Sequence, residues 1–381
     1  MNGKRNKPAE QDSRRLDELF RQIEHECETL IGYPCSSEID FSRLYRFLRF
    51  PINNVGDPFV SSSYRVNTKQ FEREVLRWFA EITHAPKDEY WGYVTNGGSE
   101  GNLYGLYLAR ELFADGMVYY SEQTHYSVSK NLRLLKMRSI MIRSLPSGEI
   151  DYEDLKESIR IHRETPPIIF ANIGTTMTQA VDNVERIRDI LQAMAIPRSY
   201  IHCDAALSGM VLPFIDDAPA WDFRAGIDSL SISGHKLIGS PIPSGVVLAR
   251  KDHVSRISRL IEYVGTLDTT LTGSRNGITP LFLWYAIQVH GKQGFREKVA
   301  QCIETAEYAV DRFNSAGIAA WRNPLSMTVV FSRPSRAILD KWQIAVEGEN
   351  AHIITMPQVH HEHVDQLLAD IQATAFCEST P

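Results

Sequence analysis

From Tyr90 to Arg250 short apolar runs alternate with stretches of helical periodicity, and that alternation restricts the chain to few architectures. The apolar runs are 90–95, 117–121, 139–145, 167–173, 200–204, 229–233 and 245–249. Between them, 99–113, 126–137, 152–163 and 184–194 carry apolar residues at helical spacing. Runs such as IIFANI and GVVLA are apolar on both faces, as central strands must be when helices cover each side. The pattern predicts an α/β domain with a mostly parallel sheet, whose functional loops lie at the strand C-terminal ends.

The flanking regions differ. A helix is expected near 16–30, ended by Gly32-Tyr33-Pro34, and an amphipathic helix begins near Gln70, with Phe71, Val75, Leu76, Phe79 and Ile82 on one face. Beyond Thr279 come helical stretches at 281–289, 295–313 and 364–373, with strands at 327–331 and 351–355. These predict a smaller C-terminal α+β domain. At 381 residues the chain exceeds one compact domain. We divide it into an N-terminal segment (1–55), a large domain (56–279) and a small domain (280–381). The first dozen residues, polar and without apolar period, are expected to be disordered.

Composition matters for what it excludes. With a net charge of −6 and no basic patch, the chain offers nucleic acid no electrostatic footprint. No stretch approaches the roughly 20 apolar residues of a membrane span, and the polar N-terminus lacks a signal-peptide core. Five cysteines, scattered and never spaced C-x-x-C, read as free thiols in a reducing cytoplasm. The run His360-His361-Glu362-His363 reads as a solvated turn into the last helix, with no further metal ligands spaced to join it.

Four short segments carry the chemistry. In Ser231-Ile232-Ser233-Gly234-His235-Lys236 an apolar strand runs directly into a lysine, which is costly unless the amine is neutralised or bonded. A Schiff base meets that need by using the amine as a covalent attachment point. A lone lysine here would usually snorkel to the surface; its companions argue otherwise. Asp204 closes another apolar strand, where a carboxylate can face a pyridinium nitrogen and keep the ring an electron sink. Thr95-Asn96-Gly97-Gly98-Ser99 is a strand-to-helix turn whose bare N–H groups and Ser99 hydroxyl suit a phosphate, and it is neither a Walker loop nor G-x-G-x-x-G. His125 follows the strand 117–121, where a flat ring can stack on a cofactor and handle protons near neutral pH.

In that order the segments resemble the group II, fold-type I pyridoxal-phosphate decarboxylases, and within them the histidine and serine decarboxylase branch. The resemblance rests on WGYVTNGGSEGN, THYSVSK, PIIFANIGTTMTQAVDN, HCDAALSGMVLPF, SISGHKLIGSPIPSG and TGSRNG, and runs from about Ile31 to about Ile371. It implies an α/β, PLP-dependent transferase-like fold with a large mixed, mostly parallel sheet domain and a smaller C-terminal α+β domain, and pyridoxal 5'-phosphate as cofactor. Lys236 resembles the Schiff-base lysine, Asp204 the partner of the pyridine nitrogen, and His125 the residue stacked on the ring beside the substrate. Gly98, Ser99, Ser233 and His235 resemble phosphate ligands, while Thr176 and Ala206 match positions lining the ring. Ser274, in Thr272-Gly273-Ser274-Arg275, resembles a segment reaching the cofactor of a neighbouring subunit, which implies a homodimer with the active site at its interface. Tyr263 lies where the family carries a catalytic tyrosine on a mobile loop.

The implied reaction is α-decarboxylation of an L-amino acid. PIIFANIGTT, DAALSGMVLPF, SGHKLIGSPIP and AWRNP favour L-histidine, giving histamine and carbon dioxide. NNVGDPF, SSSYRVNTKQFE, LFLWYAI and AHIITMPQV look closer to the serine decarboxylase branch, which would give ethanolamine. An aminotransferase or lyase on the same frame is the remaining alternative, for which Arg322 is the candidate carboxylate clamp.

Overall fold

The computed structural model describes residues 10–257, 259–261 and 266–378. Seven strands form the main sheet: β1 (Tyr90–Thr95), β2 (Met117–Ser121), β3 (Arg138–Ile142), β4 (Pro167–Asn172), β5 (Tyr200–Asp204), β6 (Ser229–Ser233) and β7 (Gly245–Arg250). Their order is β1-β7-β6-β5-β4-β2-β3. Only β7 runs antiparallel to its neighbours, so the sheet is mostly parallel, as the alternation implied, and mixed, as the family resemblance implied. The six codirectional strands consequently end along one edge.

Two of the helices start where a side chain caps them. Besides α1 (Glu10–Cys27), the first part of the chain forms α2 (Lys69–Ile82), α3 (Gly98–Leu112), α4 (Ser127–Leu135), α5 (Tyr152–Ile161) and α6 (Val184–Ala193). Asp151 accepts from the N–H groups of Glu153 and Asp154 to open α5, and Asn183 accepts from Arg186 to open α6. Packing from both sides explains why β4 has no exposed residue: Ile168, Ile169 and Phe170 are all fully buried. Each such side chain contributes about 1.5–3 kcal/mol.

Beyond β7, the short helix α7 (Lys251–Ser255) precedes a hairpin of β8 (Arg259–Ile261) and β9 (Thr266–Asp268). The two helices expected at 281–289 and 295–313 are both present, joined end to end as α8 (Thr279–Ser315) across a break at Gly291, where φ is +57° and ψ −173°. A glycine absorbs that left-handed step without ending the packing face. The C-terminal region holds four strands rather than two. To β11 (Thr328–Ser332) and β13 (Asn350–Ile354) are added the short edges β10 (Ala320–Trp321) and β12 (Ala345–Glu347), with helices α9 (Arg336–Lys341) and α10 (His361–Glu378) alongside. Elements of two or three residues carry too little periodicity to be read in advance. Among the described residues no helix is long and apolar enough to cross a membrane.

A buried polar cluster ties the N-terminal segment to this frame. Glu72 on α2 accepts from the Val94 N–H at 2.9 Å and from Asn54 Nδ2 at 2.8 Å, and it is paired with Arg275. Arg275 also donates to the Gly56 carbonyl at 2.9 Å. Arg275→Met strands the carboxylate without its cation in the interior, and is expected to lower stability by about 3–5 kcal/mol in denaturant unfolding. A loss below about 1 kcal/mol, the worth of a surface pair, would contradict this account.

Candidate active site

The codirectional strand ends converge on a cavity of about 180 Å³. β1, β2, β4, β5 and β6 deliver residues from their last position or from the loop that follows. Beyond β1, Gly97 takes φ +139°, open only to glycine, and so turns the chain into α3 with Gly98 and Ser99 at the helix start. A Cβ on Gly98 would come within 2.9 Å of Ser233 Oγ and 3.4 Å of the Ala206 Cβ, so the glycine keeps this concavity open. No side chain caps α3, leaving its first N–H groups directed at the cavity end of the helix. His125 arrives after β2, Thr176 after β4, Asp204 and Ala206 at the end of β5, and Ser233, His235 and Lys236 at the end of β6.

Asp204 is nearly buried, at 7% exposure. One of its oxygens accepts from Asn102 Nδ2 at 2.7 Å, and the other from the Ala206 N–H at 3.1 Å. His125 has Nδ1 2.8 Å from Ser127 Oγ and accepts the Ser127 N–H at 3.3 Å, which leaves the proton of the neutral ring on Nε2. Burial draws its pKa below the ordinary value, opposed by the charge of Asp204 and reinforced by Lys236 and Lys130. His235 turns Nδ1 toward the Ser244 carbonyl at 2.8 Å, and its pKa is likewise lowered by burial. Lys236 retains some exposure where it lines the cavity, yet enough protein surrounds it that burial lowers its pKa, with Asp204 acting in the opposite direction. A lysine held this way spends more time as the nucleophilic free amine.

Nine of the ten residues expected at a cofactor therefore meet in one cavity. Ser274 is the exception. It accepts from Asn53 Nδ2 at 3.0 Å and does not line the cavity of its own chain, as a residue supplied to a neighbouring subunit need not. Tyr263 lies outside the described residues. Arg322 is not at the cavity either: it pairs with Glu307 and donates to the Ser326 carbonyl at 3.0 Å, so it is engaged elsewhere. Among the described residues no group of three His, Cys, Asp or Glu side chains is placed to hold a metal ion.

Several wall residues were not singled out in the sequence. Asn102 and Asn172 reach the cavity from α3 and β4, His352 from β13, and Gly32, Tyr33 and Pro34 from the N-terminal segment. Asn172 donates to Ser121 Oγ at 3.0 Å and Thr124 Oγ1 at 3.1 Å, which fixes the loop that carries His125. Its signal was legible in principle, since it is the one polar residue in the run PIIFANI.

These donors fit pyridoxal 5'-phosphate. Uncapped helix N–H groups with Ser99, Ser233 and His235 suit a dianion, Asp204 suits a protonated ring nitrogen, and the Lys236 amine suits an aldehyde. Fold and cavity thus define a fold-type I pyridoxal-phosphate enzyme. A family model described as the pyridoxal-dependent decarboxylase conserved domain matches residues 52–318, and this chain belongs to that family. It is 52% identical over 346 residues to a histidine decarboxylase of Acinetobacter baumannii strain AYE, covering 90% of each chain. To a histidine decarboxylase of Morganella morganii it is 48% identical over 367 residues, covering 95% of this chain and 97% of the other. Among solved structures, L-methionine decarboxylase from Streptomyces sp. 590 with L-methionine methyl ester superposes with a TM-score of 0.87 at 26% identity, covering 97% and 95% of the two chains.

Proposed function

We propose that this enzyme removes the α-carboxylate of L-histidine, releasing histamine and carbon dioxide. The observation that carries the substrate is the 52% identity, across nine-tenths of both chains, to a histidine decarboxylase. Bound pyridoxal phosphate supplies a conjugated ring that takes up the electron pair of the breaking carboxylate bond.

The chain's own residues do the rest. Gly98, Ser99, Ser233 and His235 would hold the phosphate, Thr176 and Ala206 would border the ring, and Asp204 would accept a hydrogen bond from the protonated ring nitrogen. Lys236 Nζ would supply the amine that anchors the aldehyde. His125, neutral with its proton on Nε2, would lie beside the ring and the substrate. Leu207 and Ile354 add apolar wall to the cavity, and a carboxylate held in such poorly solvated surroundings loses its charge favourably. The α-carbon then regains a proton from a positioned acid, for which Lys236 Nζ, His125 Nε2 and Tyr263 are the candidates.

Purified enzyme supplied separately with L-histidine, L-serine and L-methionine provides the test, with carbon dioxide and the amine product both measured. Histamine formed in equal amount to carbon dioxide, with kcat/KM for histidine at least about 100-fold above the others, is the expected result. Ethanolamine as the main product would move the enzyme to the serine branch, and keto-acid formation without carbon dioxide would make it an aminotransferase.

We also propose a homodimer in which Ser274 completes the partner's site. Leu16, Leu19, Phe20 and Ile23 form an exposed apolar stripe on α1, and Tyr45, Leu48 and Phe50 are also exposed, apolar surface that a second copy would cover. Sedimentation of the active enzyme as a monomer would refute this. The proposed division at 279/280 is supported by the two sheets lying in the chain on either side of the start of α8, and we set the end of the N-terminal segment at 55/56. A cytoplasmic setting is supported by Cys27, Cys35, Cys203 and Cys302 being free thiols.

A further inference from the structure

Strand period places Tyr200, His202 and Asp204 on the same face of β5. Ser229 on β6 stands directly opposite His202 in the parallel register, and α3 crosses over that face with Asn102. The result is an unbroken row of buried polar groups. Tyr200, His202 and Ser229 are fully buried and Asn102 is 2% exposed. Tyr200 donates to Ser229 Oγ at 2.8 Å, Ser229 Oγ lies 2.7 Å from His202 Nδ1, His202 Nε2 lies 2.9 Å from Asn102 Oδ1, and Asn102 Nδ2 donates to Asp204 at 2.7 Å.

The direction of every bond follows from its ends. A carboxylate only accepts, so Asn102 must face Asp204 with its NH₂ and turn its carbonyl oxygen to His202. That oxygen needs a donor, so the His202 proton sits on Nε2 and Nδ1 is left as an acceptor. The opposite end fits the same tautomer: Ser229 accepts from Tyr200 and can turn its own proton to His202 Nδ1. Burial draws the His202 pKa down to about 3, so the ring stays neutral and the direction cannot be reversed by a second ring proton. The helix is adapted to this ring. A Cβ on Gly105 would lie 2.2 Å from His202 Nδ1, so glycine is what lets α3 pass over it.

We propose that Tyr200, Ser229, His202 and Asn102 form a one-way hydrogen-bond chain that positions the Asp204 carboxylate as an acceptor toward the cofactor ring nitrogen, with His202 as the neutral Nε2–H tautomer. The proposal rests on the reading of Asp204 given above. These four are positioning residues acting through Asp204. Donors aligned in sequence polarise one another, so the carboxylate is met by a stronger dipole than a solitary amide provides. The row also prevents Asn102 from flipping, which would set an amide oxygen against the carboxylate.

The test uses holoenzyme carrying ¹⁵N-labelled histidine and, separately, cofactor labelled at the ring nitrogen. In the parent enzyme, nitrogen NMR should show His202 neutral, protonated at Nε2, and unchanged across the neutral pH range. Ser229→Ala removes the donor to Nδ1. It should mix the two tautomers, shift the ring-nitrogen signal toward the unprotonated form, and lower kcat roughly 10-fold with KM within about 2-fold. Tyr200→Phe, which leaves Ser229 free to donate, should keep the parent tautomer and change kcat by less than about 3-fold. A His202 proton on Nδ1 in the parent would overturn the proposal even if Ser229→Ala failed to fold. So would a folded Ser229→Ala enzyme with parental ring-nitrogen signal and kcat. Asp204→Asn separates the two readings: if that variant itself leaves the ring nitrogen and turnover unaltered, the assignment of Asp204 has failed. If it acts while Ser229→Ala does not, only the chain has failed.

Discussion

Lys236→Ala should abolish turnover, with a loss on the order of 10⁶-fold in kcat, the scale seen when a covalent residue is removed. Nothing else at the cavity can take over. Among the residues that line it, Lys236 is the only lysine, and it reaches the site from the loop immediately after β6, with burial lowering its pKa. The same variant should lose the covalent pyridoxyl label that borohydride reduction leaves on the parent enzyme. Peptide mapping of the reduced parent should place that label at Lys236. Phosphate contacts from Ser99, Ser233 and His235 would still allow reversible cofactor binding, so the protein should remain folded and bind pyridoxal phosphate more weakly. Turnover within about 10-fold of the parent, or a label mapped to another lysine, would remove the foundation of the proposed mechanism.

Asp204→Asn should lower kcat by about 10²–10³-fold, comparable to losing a preorganised electrostatic partner in other enzymes. The change is nearly isosteric, so the argument concerns charge and hydrogen-bond direction. The carboxylate accepts from Asn102 Nδ2 on one oxygen and from the Ala206 N–H on the other. An amide has one accepting oxygen, so it must point its NH₂ at a donor whichever way it is turned. It also withdraws the negative charge that the ring nitrogen would face. Cofactor content should fall far less than rate, because the phosphate and Lys236 contacts are untouched. Equal losses of cofactor and activity would show that Asp204 serves binding alone.

How far the sequence could be read depended on how local the determining physics was. β4 and β7 declared themselves because covering both faces of a strand demands an uninterrupted apolar run, and α5 and α6 because their apolar residues recur at helical spacing. Lys236 and Asp204 stood out because a charge at the end of a buried strand is anomalous without a partner. By contrast, β10 and β12 exist through pairing with β11 and β13 and have little periodicity of their own. The two helical arms of α8 were legible because each carries its own apolar period; that Gly291 joins them end to end was not.

By itself, then, the amino-acid order determined the α/β class and which residues would close the strands. It also set the set of donors, acid and amine that suits pyridoxal phosphate. Only the tertiary structure decided that Asn102, Asn172 and His352 join the same wall, that Arg322 is occupied by Glu307, and that Asp204 stands at the end of a row leading back to Tyr200. The reason is physical. Periodicity, caps and strand ends are set by neighbours along the chain, whereas the direction of a buried hydrogen bond depends on what the next strand and the helix above present to it.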